Sequence, residues 1–195
     1  MSRTLVSLRA ATHGDAPFLA TLWRDSLRRG DHADQVADVE SVIARAAESP
    51  SLRVLLAEYD GRPAGAVCLR VTTKSMINLE PAVQAQSPHV LPEFRRHGVG
   101  RQLMEAAVSY AEELGIAHLM TAAASGSRDG NRFMARLALG PQAVLRIAPT
   151  QVVRAKLTAQ RPAAQRPGRQ LGTVLAARRS MRRANPQVPP VPQDG

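Results

Sequence analysis

The sequence predicts a mixed α/β domain followed by a basic appendage, and three observations carry that prediction. Strand-like runs gather around an Asp60-Gly61 turn. A long helical period starts directly behind two closely spaced glycines. The composition then changes after residue 160. At 195 residues the chain can hold one domain with a sizeable core. It is 44% hydrophobic but only 3% aromatic, so that core is expected to be mostly Ala, Val and Leu.

The elements follow in order. Residues 5–12 read as a first strand. Residues 15–28 read as a helix with Phe18, Leu22 and Trp23 on its buried side, Asp15 as its N-cap and Gly30 as its end. A second helix over residues 34–48 carries a narrow apolar stripe of Val36, Val39, Ile43 and Ala47, and Pro50 bars its continuation. Residues 52–59 form an apolar strand, Asp60-Gly61 a hairpin turn, and residues 64–73 the returning strand. Residues 76–90 hold a fourth strand, interrupted by Pro81 and Pro88. Val99, Leu103, Ala106, Ala107, Tyr110, Ala111 and Leu114 then recur at helical spacing, and Gly115 is placed to cap that helix. A fifth strand is expected over residues 117–124, a fourth helix over 128–139 and a sixth strand over 143–148.

The net charge of +10 is unevenly distributed. Residues 1–150 hold 17 basic and 15 acidic residues, a balance of +2, whereas residues 151–195 hold 9 basic residues and Asp194 alone, a balance of +8. The expected division is therefore a folded domain over residues 1–158 and a flexible Arg/Pro-rich tail over residues 159–195. Such a tail suits sequence-independent contact with nucleic acid or a solubilising role, because it has no aromatic residues on which bases could stack. No stretch approaches the ~20 apolar residues that span a bilayer, and no signal-peptide core opens the chain, so a cytoplasmic location without membrane contact is expected. Cys68, the only cysteine, lies in an apolar run and reads as a buried structural thiol. The five histidines show no metal-binding spacing, and no metal site is expected.

The most informative segment is Val90-Leu91-Pro92-Glu93-Phe94-Arg95-Arg96-His97-Gly98-Val99-Gly100-Arg101. It reads as a strand end, a basic turn with two glycines and the first turn of a helix. Bare N–H groups and the helix dipole make such a place suited to a phosphate or diphosphate, and glycines lacking Cβ let the backbone approach closely. No Gly-Lys-Ser/Thr follows, so it is not a P-loop, and the spacing is not that of a dinucleotide-binding fingerprint.

The spacing Arg95-x-x-Gly98-x-Gly100, behind a hydrophobic pair and a proline, resembles the acetyl-CoA loop of the GCN5-related N-acetyltransferases (GNAT). The element order over residues 5–148 is similar to that family's. The resemblance implies a mixed sheet flanked by helices and splayed between strands four and five, with acetyl-CoA in the splay. It places the backbone from Arg96 through His97, Gly98, Val99 and Gly100 to Arg101 on the diphosphate, with Arg95, Arg96 and Arg101 adding charge. The N–H groups of Val90 and Leu91 become partners of the pantetheine arm and thioester carbonyl, and Asn131 a contact of the CoA arm. His89 and Glu80 are the candidate bases, whereas Glu93 reads as a solvated loop residue. Many members carry a tyrosine seven residues after that Asn; here the position is Ala138, which leaves the usual acid without a counterpart. An acidic cluster at Asp31, Asp34, Asp38 and Glu40, beside His32, would attract a cationic amine acceptor, or would simply cap and solvate a helix. The chain is thus expected to be an acetyl-CoA-dependent N-acetyltransferase acting on an amine, as a monomer or homodimer. The alternatives are a non-catalytic CoA sensor and a module that works through its basic tail.

Overall fold

The computed structural model describes residues 5–122 and 126–160. The chain divides into two compact units, Met1–Gln142 and Ala143–Gly195. The first contains strands β1 (Val6–Ala10), β2 (Leu52–Tyr59), β3 (Arg62–Thr73), β4 (Pro81–Val90) and β5 (Leu119–Thr121). Its helices are α1 (Ala16–Leu22), α2 (His32–Glu48), α3 (Val99–Glu113) and α4 (Arg128–Arg136). The strands lie in the order β1-β2-β3-β4-β5, all antiparallel except the β4–β5 pair, which is parallel. The long α3 supplies the crossover that a parallel pair requires.

Alternation along the strands divides the core. Val67 and Leu69 of β3 join Val83, Ala85 and the α3 residues Val99, Leu103, Met104, Ala107, Tyr110 and Ala111 on one face. Ala66 and Cys68 face the other way, into a cluster with Leu19, Leu22 and Trp23 near α1 and Val39 and Ile43 on α2. The sheet is therefore sandwiched between α3 and the α1–α2 pair. Fully buried Tyr110 donates its hydroxyl to Pro50 O at 2.6 Å and lies beneath the Arg53 guanidinium, 4.0 Å from its ring centroid. Burial pushes the Cys68 thiol above its ordinary pKa, consistent with a structural role.

The turn chemistry forms as its residues require. Asp60 and Gly61 both take positive φ, 51° and 74°, and pair Tyr59 with Arg62. Gly115 at φ 65° closes α3, and the Ile116 N–H returns to Ala111 O at 2.8 Å.

Four expectations need correction. The first helix is short: it stops at Leu22, and residues Arg24–Ser26 form a separate 3-10 turn. Trp23, only 7% exposed, leaves helical geometry so that its indole can reach β4. Asp15 stands at the N-cap of α1 as expected, but its side chain makes no bond into that helix; its carboxylate turns back to take the Thr12 N–H at 2.7 Å, in the capping box of the 3-10 turn His13–Asp15, and the Arg9 guanidinium at 2.7 and 2.8 Å. Those bonds, Arg9 first, hold its pKa far below the usual carboxylate range. The fourth strand begins at Pro81, because residues 75–80 are tied into a loop by Ser75, Asn78 and Glu80. Finally, residues 143–148 form no strand. The run looks strand-like, but it lies in the second unit, where no partner strand exists among the described residues. That unit instead forms helix α5 (Thr150–Ala159). The expected Arg/Pro-rich tail lies outside the described residues from residue 161 onward. Among the described residues, no helix is long and apolar enough to cross a membrane.

One contact makes the β3–β4 ladder sensitive to a single atom. Gly65 stands opposite Val90, and a Cβ there would lie 2.5 Å from His89 O and 3.2 Å from Val90 Cα. Both are backbone atoms, so the strands would have to separate. Gly65→Ala is expected to lower unfolding stability by about 1–3 kcal/mol in urea titration.

Candidate active site

Strand β4 and the turn behind it bring the candidate residues together. Facing β3, the register shifts between Ala66 and Cys68, so Ser87 and Pro88 both stand against Val67. This is a β-bulge, with Ser87 at φ 46°. The Trp23 indole donates to Ser87 O at 2.9 Å and ties the bulge to the end of α1. Trp23→Phe leaves that carbonyl unpaired and is expected to cost about 1–2 kcal/mol of stability by urea titration.

The bulge fixes which groups face where. Leu91 N donates to Ala64 O at 2.9 Å, so Ala64–Leu91 is a bonded pair. The next position, Gly65–Val90, is then a non-bonded pair, and the Val90 N–H and C=O turn to the opposite edge of β4. That edge is paired to β5 only over Val83–Ala85, where β5 ends at Thr121 and its hydroxyl takes up Ala85 O at 2.9 Å. Beyond Ala85 this edge of β4 has no strand partner among the described residues. Of the two N–H groups expected to meet a thioester, Val90 faces this edge, whereas Leu91 is committed to β3.

The basic turn follows. Phe94, 6% exposed, inserts into the core below it, with Tyr59 5.7 Å away between ring centroids and the Arg62 guanidinium 5.2 Å from its ring. Arg95 and Arg96 are exposed; the Arg95 side chain approaches Val90 O at 3.5 Å. Arg96 and Gly98 both adopt left-handed geometry, φ 66° and 86°. The His97 ring turns edge-on to Tyr59 at 4.9 Å between centroids, and its Nδ1 lies 2.8 Å from Arg95 O, so this residue offers the turn its backbone. Gly98 is the N-cap of α3; no side chain caps that end, and no acidic residue sits in its first turn. The N–H groups of Val99, Gly100 and Arg101 therefore have no intrahelical acceptor.

The two glycines differ. A Cβ on Gly98 would meet nothing within 4 Å, so conformation alone requires glycine there. A Cβ on Gly100 would meet Phe133 Cζ at 3.6 Å and Val90 Cγ2 at 3.7 Å, because Gly100 packs against the protein.

His89 and Leu91 project to the α1 side of the sheet, opposite Val90. With Thr21, Leu22, Arg24 and Asp25 they line an open cleft of about 340 Å³. Sequence reasoning missed Thr21, Arg24 and Asp25; only the break in the first helix, which the sequence does not advertise, carries them to β4. His89 is half-buried, and burial, aided by the positive charge of Arg95 and opposed by Asp25, lowers its pKa from 6.5. Its imidazole is thus neutral at pH 7 and able to accept a proton.

The other expected residues lie elsewhere. Glu80 precedes the far end of β4, roughly 25–30 Å along the strand from His89. It pairs with Lys74 at 2.7 Å and lies 3.2 Å from His118 Nδ1. The Lys74 bond lowers its pKa, which makes it a weaker base. Asn131 lies on the first turn of α4, exposed, with its Nδ2 donating to Ser127 O at 2.8 Å. Ala138 lies past the end of α4 at φ 59°, exposed. The acidic cluster serves the fold: Asp31 caps α2 by accepting the Asp34 N–H at 2.8 Å, and Asp34 and Asp38 pair with Arg28. Among the described residues, no group of three or more His, Cys, Asp or Glu is placed to hold a metal ion.

Comparison with known proteins bears on the family and the fold. The family model described as acetyltransferase (GNAT) family matches residues 17–138. An uncharacterized N-acetyltransferase of Archaeoglobus fulgidus is 38% identical over 60 residues, a stretch covering 31% of this chain and 41% of that relative. Among solved structures, a transcriptional regulator from Bacillus halodurans C-125 superimposes with a TM-score of 0.63 at 16% identity, covering 74% of this chain and 99% of its own. The aminoglycoside N-acetyltransferase AAC(6')-Iy in complex with CoA superimposes with a TM-score of 0.61 at 16% identity, covering 75% and 95%. At those identities the likeness is one of fold.

Proposed function

We propose that this chain, which belongs to the acetyltransferase (GNAT) family, acetylates a primary amine with acetyl-CoA by direct attack in a ternary complex. One observation carries the reading: the uncapped N-terminus of α3 and the edge of β4 at Val90, which has no strand partner among the described residues, lie within one short loop of each other. The first suits a diphosphate, and the second suits a carbonyl oxygen that gains negative charge. The backbone from Arg96 to Arg101 holds the diphosphate, Arg95, Arg96 and Arg101 add positive charge, and Asn131 gives a further contact to the CoA arm.

Acetyl-CoA supplies an acyl group on a good leaving group. His89 takes a proton from the amine. The amine nitrogen bonds to the acyl carbon, the carbon–sulfur bond breaks, and the sulfur departs with its electron pair as thiolate. No side chain is assigned to protonate that thiolate, because Ala138 has no acidic group and the CoA thiolate leaves without one.

Calorimetric titration with acetyl-CoA, and release of free CoA thiol across a panel of amines, test this function. Saturable binding and amine-dependent thiol release are expected. Binding without turnover on any amine would favour a CoA-sensing module instead. Absence of binding would overturn both.

A further inference from the structure

The cleft beside His89 carries two charges that the fold does not use. Two ion-pair groups lie near it, Arg9 with Asp15 and Glu58 and Arg28 with Asp34 and Asp38. Arg24 and Asp25 make no ion pair with any described residue, although both line the cleft with His89. They are adjacent in sequence on the 3-10 turn Arg24–Ser26, and the anchored Trp23 just before them fixes where that turn sits. The remaining lining is apolar or already bonded: Leu22 and Leu91 form an apolar wall, and the Thr21 hydroxyl donates to Pro17 O at 3.0 Å.

We propose that this cleft selects a small zwitterionic acceptor, an amine that also bears a carboxylate or phosphate group, with Arg24 holding the anionic group and Asp25 receiving the ammonium. The proposal rests on the acetyl-transfer reading above. An unpaired guanidinium presents a planar fork suited to a carboxylate or phosphate. An unpaired carboxylate beside a neutral imidazole suits an amine that arrives charged and must lose a proton before it attacks. A cleft of about 340 Å³ lies at the small end of ligand sites, which favours a compact acceptor. An acceptor carrying only positive charge would meet Arg24 unfavourably.

The test uses the full chain and four probes: propylamine, β-alanine, phosphoethanolamine and 1,3-diaminopropane. Thiol release gives kcat/KM for each, and calorimetry on the CoA-saturated protein gives acceptor binding independently of turnover. Wild type is expected to prefer β-alanine or phosphoethanolamine over propylamine by at least about tenfold, with 1,3-diaminopropane poorest. Which of the two anionic probes leads distinguishes a carboxylate from a phosphate. Arg24→Gln should bring the β-alanine-to-propylamine ratio to about one, and Arg24→Glu should shift preference to 1,3-diaminopropane. Propylamine or 1,3-diaminopropane performing as well as both anionic probes would overturn the proposal, as would an unchanged ratio in Arg24→Gln. If CoA binds but neither these probes nor any amine of the panel is acetylated, the acetyl-transfer reading fails; calorimetric binding of an anionic probe, lost in Arg24→Gln, would still support the cleft assignment, and its absence would refute it.

Discussion

Gly98→Glu is expected to reduce acetyl-CoA affinity by at least about 100-fold, equivalent to about 2.7 kcal/mol. The substitution places a carboxylate at the mouth of α3, where the first-turn N–H groups lack acceptors and no acidic residue is present. Two like charges about 5 Å apart repel by roughly 3 kcal/mol at an effective dielectric constant near 20, and a diphosphate carries more than one charge. Gly98→Ala is the control. Its Cβ meets nothing within 4 Å, but φ is 86°, so it should cost roughly 1–2 kcal/mol of stability and leave affinity within about fivefold. Calorimetric titration measures both variants. Equal affinity in Gly98→Glu and wild type would remove the diphosphate from this turn.

His89→Gln is expected to lower kcat by about 100-fold while leaving acetyl-CoA binding intact. Glutamine keeps a polar side chain on the same face of β4 but cannot accept the proton. The pH profile supplies the sign. The reaction needs neutral imidazole, and burial, with help from Arg95, lowers the His89 pKa from 6.5 against the opposing effect of Asp25. Wild-type turnover should therefore fall away only on the acid side of pH 6.5, as His89 becomes protonated. Asp25→Asn removes the opposing carboxylate and should move that acid limb lower still. In His89→Gln the limb should vanish. A variant with wild-type rate, or with the same acid limb, would mean that another group or a water takes the proton.

Much of the scaffold was legible without coordinates. Asp60-Gly61, the α3 stripe and Gly115 each act over a few residues, and local chemistry settles them. The Arg95-to-Arg101 turn was legible for the same reason, because its glycines and basic residues are contiguous. The errors came where partners are distant in sequence. The run over residues 143–148 has the pattern of a strand, yet a strand exists only through a neighbour. The first helix looked continuous until Trp23 found its acceptor at Ser87, 64 residues away. Of the two readings open for the acidic residues from Asp31 to Asp38, capping is the one with bonds behind it: Asp31 caps α2, and Asp34 and Asp38 hold Arg28.

By itself, then, the sequence determined the element types through α4, the hairpin, and a basic glycine turn opening a long amphipathic helix. Tertiary structure alone decided that Val90 rather than Leu91 turns its N–H away from β3. It also decided that Gly98 serves conformation, that Gly100 lies against Phe133 and Val90, that Glu80 lies a strand's length from His89, and that Arg24 and Asp25 join His89 in one cleft. The physical reason is parity and distance. Strand pairing reverses the direction of each N–H from one residue to the next, so the choice between Val90 and Leu91 depends on the register at Ala64. Which charges remain unpaired depends on partners that only the folded chain brings near.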